Sequence, residues 1–178
     1  MPLERWNIDV ARSTVGFTVR HLVVSRVHGR FTRWSGTFSF DERDVGASSA
    51  LVTVEVASVE TDDAERDAYL RQGDLFDAAR FPHMTFRSTS VHGAPGRFKL
   101  TGDLTVHGVT RVVVFDVKHS FRRTEGQAAR LGFSARGSIR RKDFGMSFGP
   151  VLEAGGVAVS EKVEMQLEVL ATPATLAG

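Results

Sequence analysis

The chain has 178 residues, a formal net charge of +2 and no cysteine. This length suits one domain over residues 1–178 with a core at about 5–171, and the lack of cysteine excludes disulfides. The 23 basic and 21 acidic side chains are interspersed, whereas nucleic-acid binding needs a concentrated basic face, so we expect no nucleic-acid partner. Neither an apolar run of ~18 residues nor the apolar core of a signal peptide is present, so we expect a cytoplasmic protein without a membrane span.

Most of the chain alternates apolar and polar residues with the period of two that is typical of β-strands. In the first part of the chain this alternation predicts strands over residues 5–10, 13–21, 29–41 and 51–58. Within the third of these, the apolar parity changes between Phe31 and Trp34. That change predicts a bulge or a strong bend near Arg33.

Residues 59–86, VETDDAERDAYLRQGDLFDAARFPHMTF, interrupt the alternation. Asp62 followed by Glu65 has the spacing of a capping box, and Gly73 is a plausible stop, so we predict a helix over 62–73. Two acid-first i,i+4 pairs support this helix: Asp62 with Arg66 and Asp67 with Arg71. A second short apolar piece follows at 75–76. We expect this excursion to cap one end of a barrel, with a long hairpin connection as the alternative.

The alternation resumes and predicts strands over 84–91, 98–106, 112–121, 131–139 and 157–169, with turns at 92–96 and 107–108. Between them we predict a polar loop at 122–130 and a glycine-rich crossing at 144–156, and we expect the tail at 172–178 to be frayed. About eight principal strands fit either a two-sheet sandwich or a closed barrel. Glycines inside the strands favour the barrel, because they permit sharp coiling: Gly16, Gly36, Gly102 and Gly137. We therefore predict an all-β fold, a closed antiparallel barrel with one or two short helices capping an end.

Six stretches, in this order and at these spacings, carry a family resemblance. They are WNIDVARSTVGFTVRHL (6–22), GRF (29–31), TDDAERDAYL (61–70), DLFDAARFPHMTF (74–86), LTGDLTVHGVTR (100–111) and RRKDFGMSF (140–148). Together they resemble the YceI-like family, polyisoprenoid-binding proteins with a lipocalin-like barrel, some members of which are exported. Two residues depart from the family pattern: Tyr69 stands where a His is expected, and Arg140 where an Asn is expected.

The resemblance implies an elongated apolar cavity that holds a long-chain isoprenoid lipid, with a phosphate or quinone head group near the opening. It implies no cofactor, and it leaves a homodimer open. Strand parity predicts an inward-facing set of apolar residues, some of which could instead pack beneath the helices: Phe17, Val19, Phe38, Phe86, Phe98, Leu104, Phe115 and Phe133. The head-group candidates are Arg66 and Arg141, with His21 as a hydrogen-bonding neighbour.

Each head-group candidate also has a purely structural interpretation. Arg66 and Asp67 can clamp the helix to the barrel by ion pairs, and the basic run at 140–143 can be a solvated face. His21 can be a strand-end histidine bonded to backbone.

Three hypotheses about function follow. The first is a non-catalytic lipid-binding module. The second is an enzyme acting on an isoprenoid-like lipid, with acid–base candidates His21, His107, Asp103 and Asp143. The third is a stress-related structural barrel that is filled by its own side chains. The six histidines have no metal-binding spacing, so we expect no metal site.

Overall fold

A computed structural model of the protein describes residues 4–21, 25–73, 75–122, 130–146 and 159–173. Within these ranges, eleven strand segments form one antiparallel sheet. They are β1 (Glu4–Ile8), β2 (Thr14–His21), β3 (Ser25–Phe31), β4 (Trp34–Phe40), β5 (Ser49–Glu55), β6 (Val59–Glu60), β7 (His83–Ala94), β8 (Arg97–Val106), β9 (Val109–Arg122), β10 (Arg130–Arg140) and β11 (Val159–Pro173).

The sheet closes on itself, because β1 pairs with β4 on one side and with β11 on the other. The ring runs β1–β4–β5–β7–β8–β9–β10–β11 and back to β1. Three of the eight strands consist of two successive segments each: β1 with β2, β3 with β4, and β5 with β6. For example, β11 pairs with β1 at Ala171 and with β2 from Glu168 onward. The predicted eight-stranded antiparallel barrel is therefore confirmed, and the sandwich is not formed.

The strand predicted over 29–41 is broken where its apolar parity changes. β3 ends at Phe31 and β4 begins at Trp34, with a bend over Thr32 and Arg33 between them. The backbone N–H of Thr32 donates a hydrogen bond to the carbonyl oxygen of Ser58, and the N–H of Arg33 donates to the Ser58 hydroxyl. The predicted bend near Arg33 is confirmed.

The two ends of the barrel differ in what covers them. The strands β6, β8 and β10 finish at one end, and the helix α1 (Ala64–Leu70) lies in the connection from β6 to β7 at that end. We call it the helical end. At the opposite end, which we call the aromatic end, β4 finishes with Phe40 and β8 begins beside Phe98.

The helix α1 is shorter than the sequence suggests. Its N-cap is Asp63, whose carboxylate accepts hydrogen bonds from the N–H groups of Glu65 and Arg66, each at 3.1 Å. Asp62 instead has a positive φ of 62° and lies 3.7 Å from Arg30 in an ion pair. The helix ends at Leu70, and residues 75–76 form turns, so the described part of the excursion contains one α-helix.

The side chains that were predicted to form i,i+4 ion pairs hold α1 by other contacts. Asp67 is buried and accepts hydrogen bonds from the N–H and hydroxyl of Thr61 at 2.8 and 2.5 Å. Arg71 donates to the carbonyl oxygens of Ala57 and Val59 at 2.9 and 3.2 Å. The predicted Asp62–Arg66 and Asp67–Arg71 pairs are therefore wrong. Asp62 lies before the helix and pairs with Arg30, and the buried Asp67 carboxylate is hydrogen-bonded to Thr61.

Several predicted connections can also be compared with the structure. His107 and Gly108 both have positive φ, 55° and 73°, and form the tight turn between β8 and β9 as predicted. Thr172 and Pro173 belong to β11 and pair with β1, so this strand extends beyond the predicted end at residue 169. Residues 123–129, 147–158 and 174–178, which hold most of the predicted loop, crossing and tail, lie outside the described ranges. No α-helix within those ranges has the length and apolar character needed to cross a membrane.

Candidate functional site

The barrel encloses a cavity of about 580 Å³, which runs between the helical and aromatic ends. This volume is within the ~300–1,000 Å³ of typical ligand pockets. Side chains from all parts of the barrel wall line it, and most of them are aliphatic or aromatic. The lining includes every apolar residue that strand parity placed inside: Phe17, Val19, Phe38, Phe86, Phe98, Leu104, Phe115 and Phe133. Their contact with a ligand remains a prediction.

Glycines in the wall leave the space that several of these rings occupy. A Cβ atom at Gly102 would lie 2.6 Å from the ring of Phe86, and one at Gly137 would lie 3.0 Å from Phe115. The two rings meet edge to face, with centroids 5.2 Å apart. Because the rings of Phe86 and Phe115 pack over Gly102 and Gly137, they lie against the wall instead of filling the lumen. The glycines thus help to keep the cavity open as well as to bend the strands.

The charged residues that line the cavity all belong to the helical end: Asp63, Glu65, Arg66 and Arg141. Thr61 and Tyr69 add hydroxyl groups there. The lining near the aromatic end has polar residues too, but they are uncharged: Thr37, Ser39, Ser48 and Ser49. The cavity is therefore apolar along its length and carries charge at one end only, which suits an amphiphile with a single polar head.

The two predicted arginines reach the cavity from different elements. Arg66 projects from α1, and its guanidinium donates to the hydroxyl and carbonyl oxygens of Thr61 at 2.8 and 2.6 Å. These hydrogen bonds replace the predicted ion-pair clamp. Arg141 begins a short 3₁₀ segment after β10, is 6% exposed, and donates to the carbonyl of Met146 at 3.3 Å. Its burial contradicts the interpretation of this arginine as part of a solvated face.

The remaining polar candidates are His21, His107, Asp103 and Asp143. The side chain of His21 lies outside the described part of the structure, although its backbone ends β2 at the helical end. His107 Nδ1 lies 3.2 Å from the Phe144 carbonyl oxygen, and its ring packs edge-on against Phe81, so it fastens the β8–β9 turn. Neither His107 nor the other two described acid–base candidates, Asp103 and Asp143, lines the cavity.

The two departures from the family pattern have different surroundings. Tyr69 lines the cavity, whereas Arg140 is exposed on the outer face of β10, opposite Lys162. Asp63, Glu65 and Tyr69 were not predicted as site residues. A signal was present, because Asp63, Arg66 and Tyr69 recur at intervals of three and share one face of a helix.

A cluster of rings lies across the lumen at the aromatic end. We call it the aromatic floor, and its members are Phe38, Phe40, Phe98, His119 and Phe133. Phe133 is central, with ring centroids 5.0 Å from Phe38, 5.4 Å from Phe40, 6.4 Å from Phe98 and 4.8 Å from His119. The four phenylalanines line the cavity and His119 does not, so the histidine lies behind them.

The surroundings of His119 favour its neutral form. Its Nδ1 lies 3.1 Å from the carbonyl oxygen of Pro95 and must carry the proton, because a carbonyl can only accept. Its Nε2 is buried and has no hydrogen-bond partner among the described residues. Burial lowers the pKa of His119 from its ordinary value of 6.5, and outweighs the raising effects of the Pro95 hydrogen bond and the charge of Glu42.

The neutral His119 predicts a loss of stability in acid. Its pKa is lower in the folded than in the unfolded chain, so its contribution is complete above the unfolded value and is lost as pH falls below it. We expect the free energy of unfolding of the wild type to fall more steeply than that of His119→Leu between about pH 6.5 and 5. Denaturant unfolding at a series of pH values measures both slopes. Parallel curves for the two proteins would contradict the prediction.

Comparison with known proteins gives consistent results. The model of the YceI-like domain family matches residues 6–171. The chain is 38% identical over 149 residues to Protein YceI of Escherichia coli O157:H7, a match that covers 82% of this chain and 78% of that protein. Among solved structures it is similar to Burkholderia cenocepacia BcnA, with a TM-score of 0.82, 24% identity, and coverage of 93% of this chain and 100% of the other. A polyisoprenoid binding domain from Saccharophagus degradans has a TM-score of 0.73 at 16% identity, with coverage of 97% and 100%.

Proposed function

The chain belongs to the YceI-like family, and we propose that it binds an isoprenoid-type lipid in its barrel cavity and releases it unchanged. The apolar chain lies along the lumen, and a polar head group, of the polyprenyl phosphate or quinone type, lies at the helical end. The structural similarity to the polyisoprenoid binding domain from Saccharophagus degradans supports the same ligand class.

The observation that carries this proposal is the distribution of charge around the cavity. A lumen of about 580 Å³ is lined by apolar side chains along the barrel, and its charged residues lie at one end. An apolar cavity of this kind binds apolar groups in preference to water. The third hypothesis, a barrel filled by its own side chains, requires a packed lumen and is therefore disfavoured.

Burial of the chain supplies most of the affinity in this proposal. Each buried CH₂-sized group contributes roughly 0.8 kcal/mol, so one five-carbon isoprene unit contributes about 3–4 kcal/mol before the costs of binding. Those costs consume a large share of the gain. The lipid can thus be held without a specific contact along its length, and specificity depends on the two ends of the cavity.

Native mass spectrometry of freshly purified protein tests the proposal. We expect an adduct that dissociates on addition of organic solvent, and an isoprenoid compound in the extract. Incubation with polyprenols, polyprenyl phosphates and prenylated quinones should return each compound unchanged. Conversion of any of these compounds would support the enzyme hypothesis instead, and failure to bind any of them would overturn the proposed function.

A further inference from the structure

The aromatic floor crosses the whole lumen. Phe38 and Phe40 belong to β4, whereas Phe133 belongs to β10, and β1 and β11 lie between these strands around the ring. Phe98 on β8 is separated from β4 by β5 and β7. Ring contacts between side chains three strands apart in an eight-stranded barrel must pass through its interior. The floor is therefore a partition across the barrel rather than a part of its wall.

The region behind the floor is packed. Val45 and Leu131 are 6% and 2% exposed, belong to the same core cluster as Phe40 and Phe98, and do not line the cavity. His119 lies behind the phenylalanines and is fastened to the Pro95 carbonyl in the β7–β8 turn. A chain that enters from the charged end therefore meets these rings before the packed region behind them.

We propose that Phe133, at the centre of the aromatic floor, sets the longest apolar chain that the barrel holds completely. The inference rests on the proposed function in one respect, namely that an apolar chain occupies the cavity with its polar group at the helical end. Each added chain unit then increases affinity only until the chain tip reaches the floor. Further units must stay outside the lumen and add little.

A series of polyprenols that differ by single isoprene units tests this proposal with the 178-residue chain. For the wild type, we expect affinity to rise with each unit and then to level off at one chain length. Phe133→Ala removes a six-carbon ring, about the size of one isoprene unit, so the levelling point should move by about one unit to longer chains. Phe133→Leu should give a smaller shift, and it keeps the test available if the alanine variant does not fold.

Phe115→Ala is the matched control. Phe115 lines the cavity as Phe133 does, is more deeply buried at 6% exposed, and packs on Phe86 in the side wall, away from the floor. The substitution removes the same atoms from the cavity lining. We expect it to weaken the binding of all polyprenols by a similar factor. The chain length at which affinity levels off should stay as in the wild type.

The outcomes separate the two proposals. A wild type that binds no polyprenol overturns the proposed function and the inference with it. A wild type that binds with a levelling point that neither Phe133→Ala nor Phe133→Leu moves overturns the inference alone. Affinity that rises without levelling also overturns it, since the chain would then leave the lumen past the floor, for example beside the serines of β4 and β5. Equal shifts in the Phe133 and Phe115 variants would show that total volume, and not the floor, limits the chain.

Discussion

Gly102→Ala is expected to lower the free energy of unfolding by about 1–3 kcal/mol and to weaken lipid binding as well. The new methyl group would lie 2.6 Å from the Phe86 ring and closer still to the carbonyl oxygen of Arg87. Phe86 is buried and packs edge to face on Phe115, so its ring can give way only toward the cavity. Denaturant unfolding and lipid titration measure the two losses.

Gly73→Ala is the control for this substitution. Nothing lies within 4 Å of a Cβ atom at Gly73, so we expect its stability to stay within about 0.5 kcal/mol of the wild type. A second test repeats Gly102→Ala in a Phe86→Ala background. If the ring is the main obstacle, the cost of the alanine should be smaller there. An equal cost in both backgrounds would assign the strain to the Arg87 carbonyl and contradict the expected effect on the cavity.

The strands could be predicted because their alternation is a property of the local sequence. Even the break between Phe31 and Trp34 is visible as a change of parity, which any continuous strand would have to accommodate by a bulge or bend. The start of α1 could not be fixed in the same way. Asp62 and Asp63 are both acceptable N-caps, and only the structure shows that Asp62 has a φ of 62° while Asp63 has the extended backbone of the N-cap.

The open lumen could not be predicted from parity, which gives the inward face of a strand but not how far its side chains reach. Whether Phe86 and Phe115 fill the barrel or lie against its wall depends on glycines of neighbouring strands, Gly102 and Gly137. His119 had a usable signal that was missed. It continues the inward parity of Phe115 and Val117 on β9, and a histidine on an apolar face is a buried polar group that needs a partner.

Arg66→Ala is expected to weaken a polyprenyl phosphate by about tenfold and to leave the polyprenol of equal length nearly unchanged, since a hydrogen bond to a charged group contributes roughly 1.5–3 kcal/mol. Arg66 lines the cavity and has a guanidinium group, whose planar donors suit phosphate oxygens. Because two of its nitrogens already donate to Thr61, the substitution also disturbs α1. The comparison of two ligands that share one tail cancels that disturbance.

Arg71→Ala is the matched control for this comparison. Arg71 also donates to backbone carbonyls and holds α1 in place, but it does not line the cavity. Its removal should therefore change the affinities for the polyprenyl phosphate and the polyprenol by the same factor. If Arg66→Ala did the same, the contribution of Arg66 would be structural, and the head group would be bound without its charge.

Removing an acidic residue at the helical end should have the opposite effect to Arg66→Ala on the affinity for a polyprenyl phosphate. The charged lining residues are Asp63, Glu65, Arg66 and Arg141, so their formal charges cancel, and any selection for an anion must come from close contact rather than from the net field. Glu65→Gln removes one negative charge without removing a cation. It should increase the affinity for the polyprenyl phosphate and leave the affinity for the polyprenol unchanged. The gain should shrink at high salt, because exposed charges are screened. A gain that appears equally for both ligands, or that persists unchanged at high salt, would reject selection by charge and leave a barrel that distinguishes its lipids by their apolar chains alone.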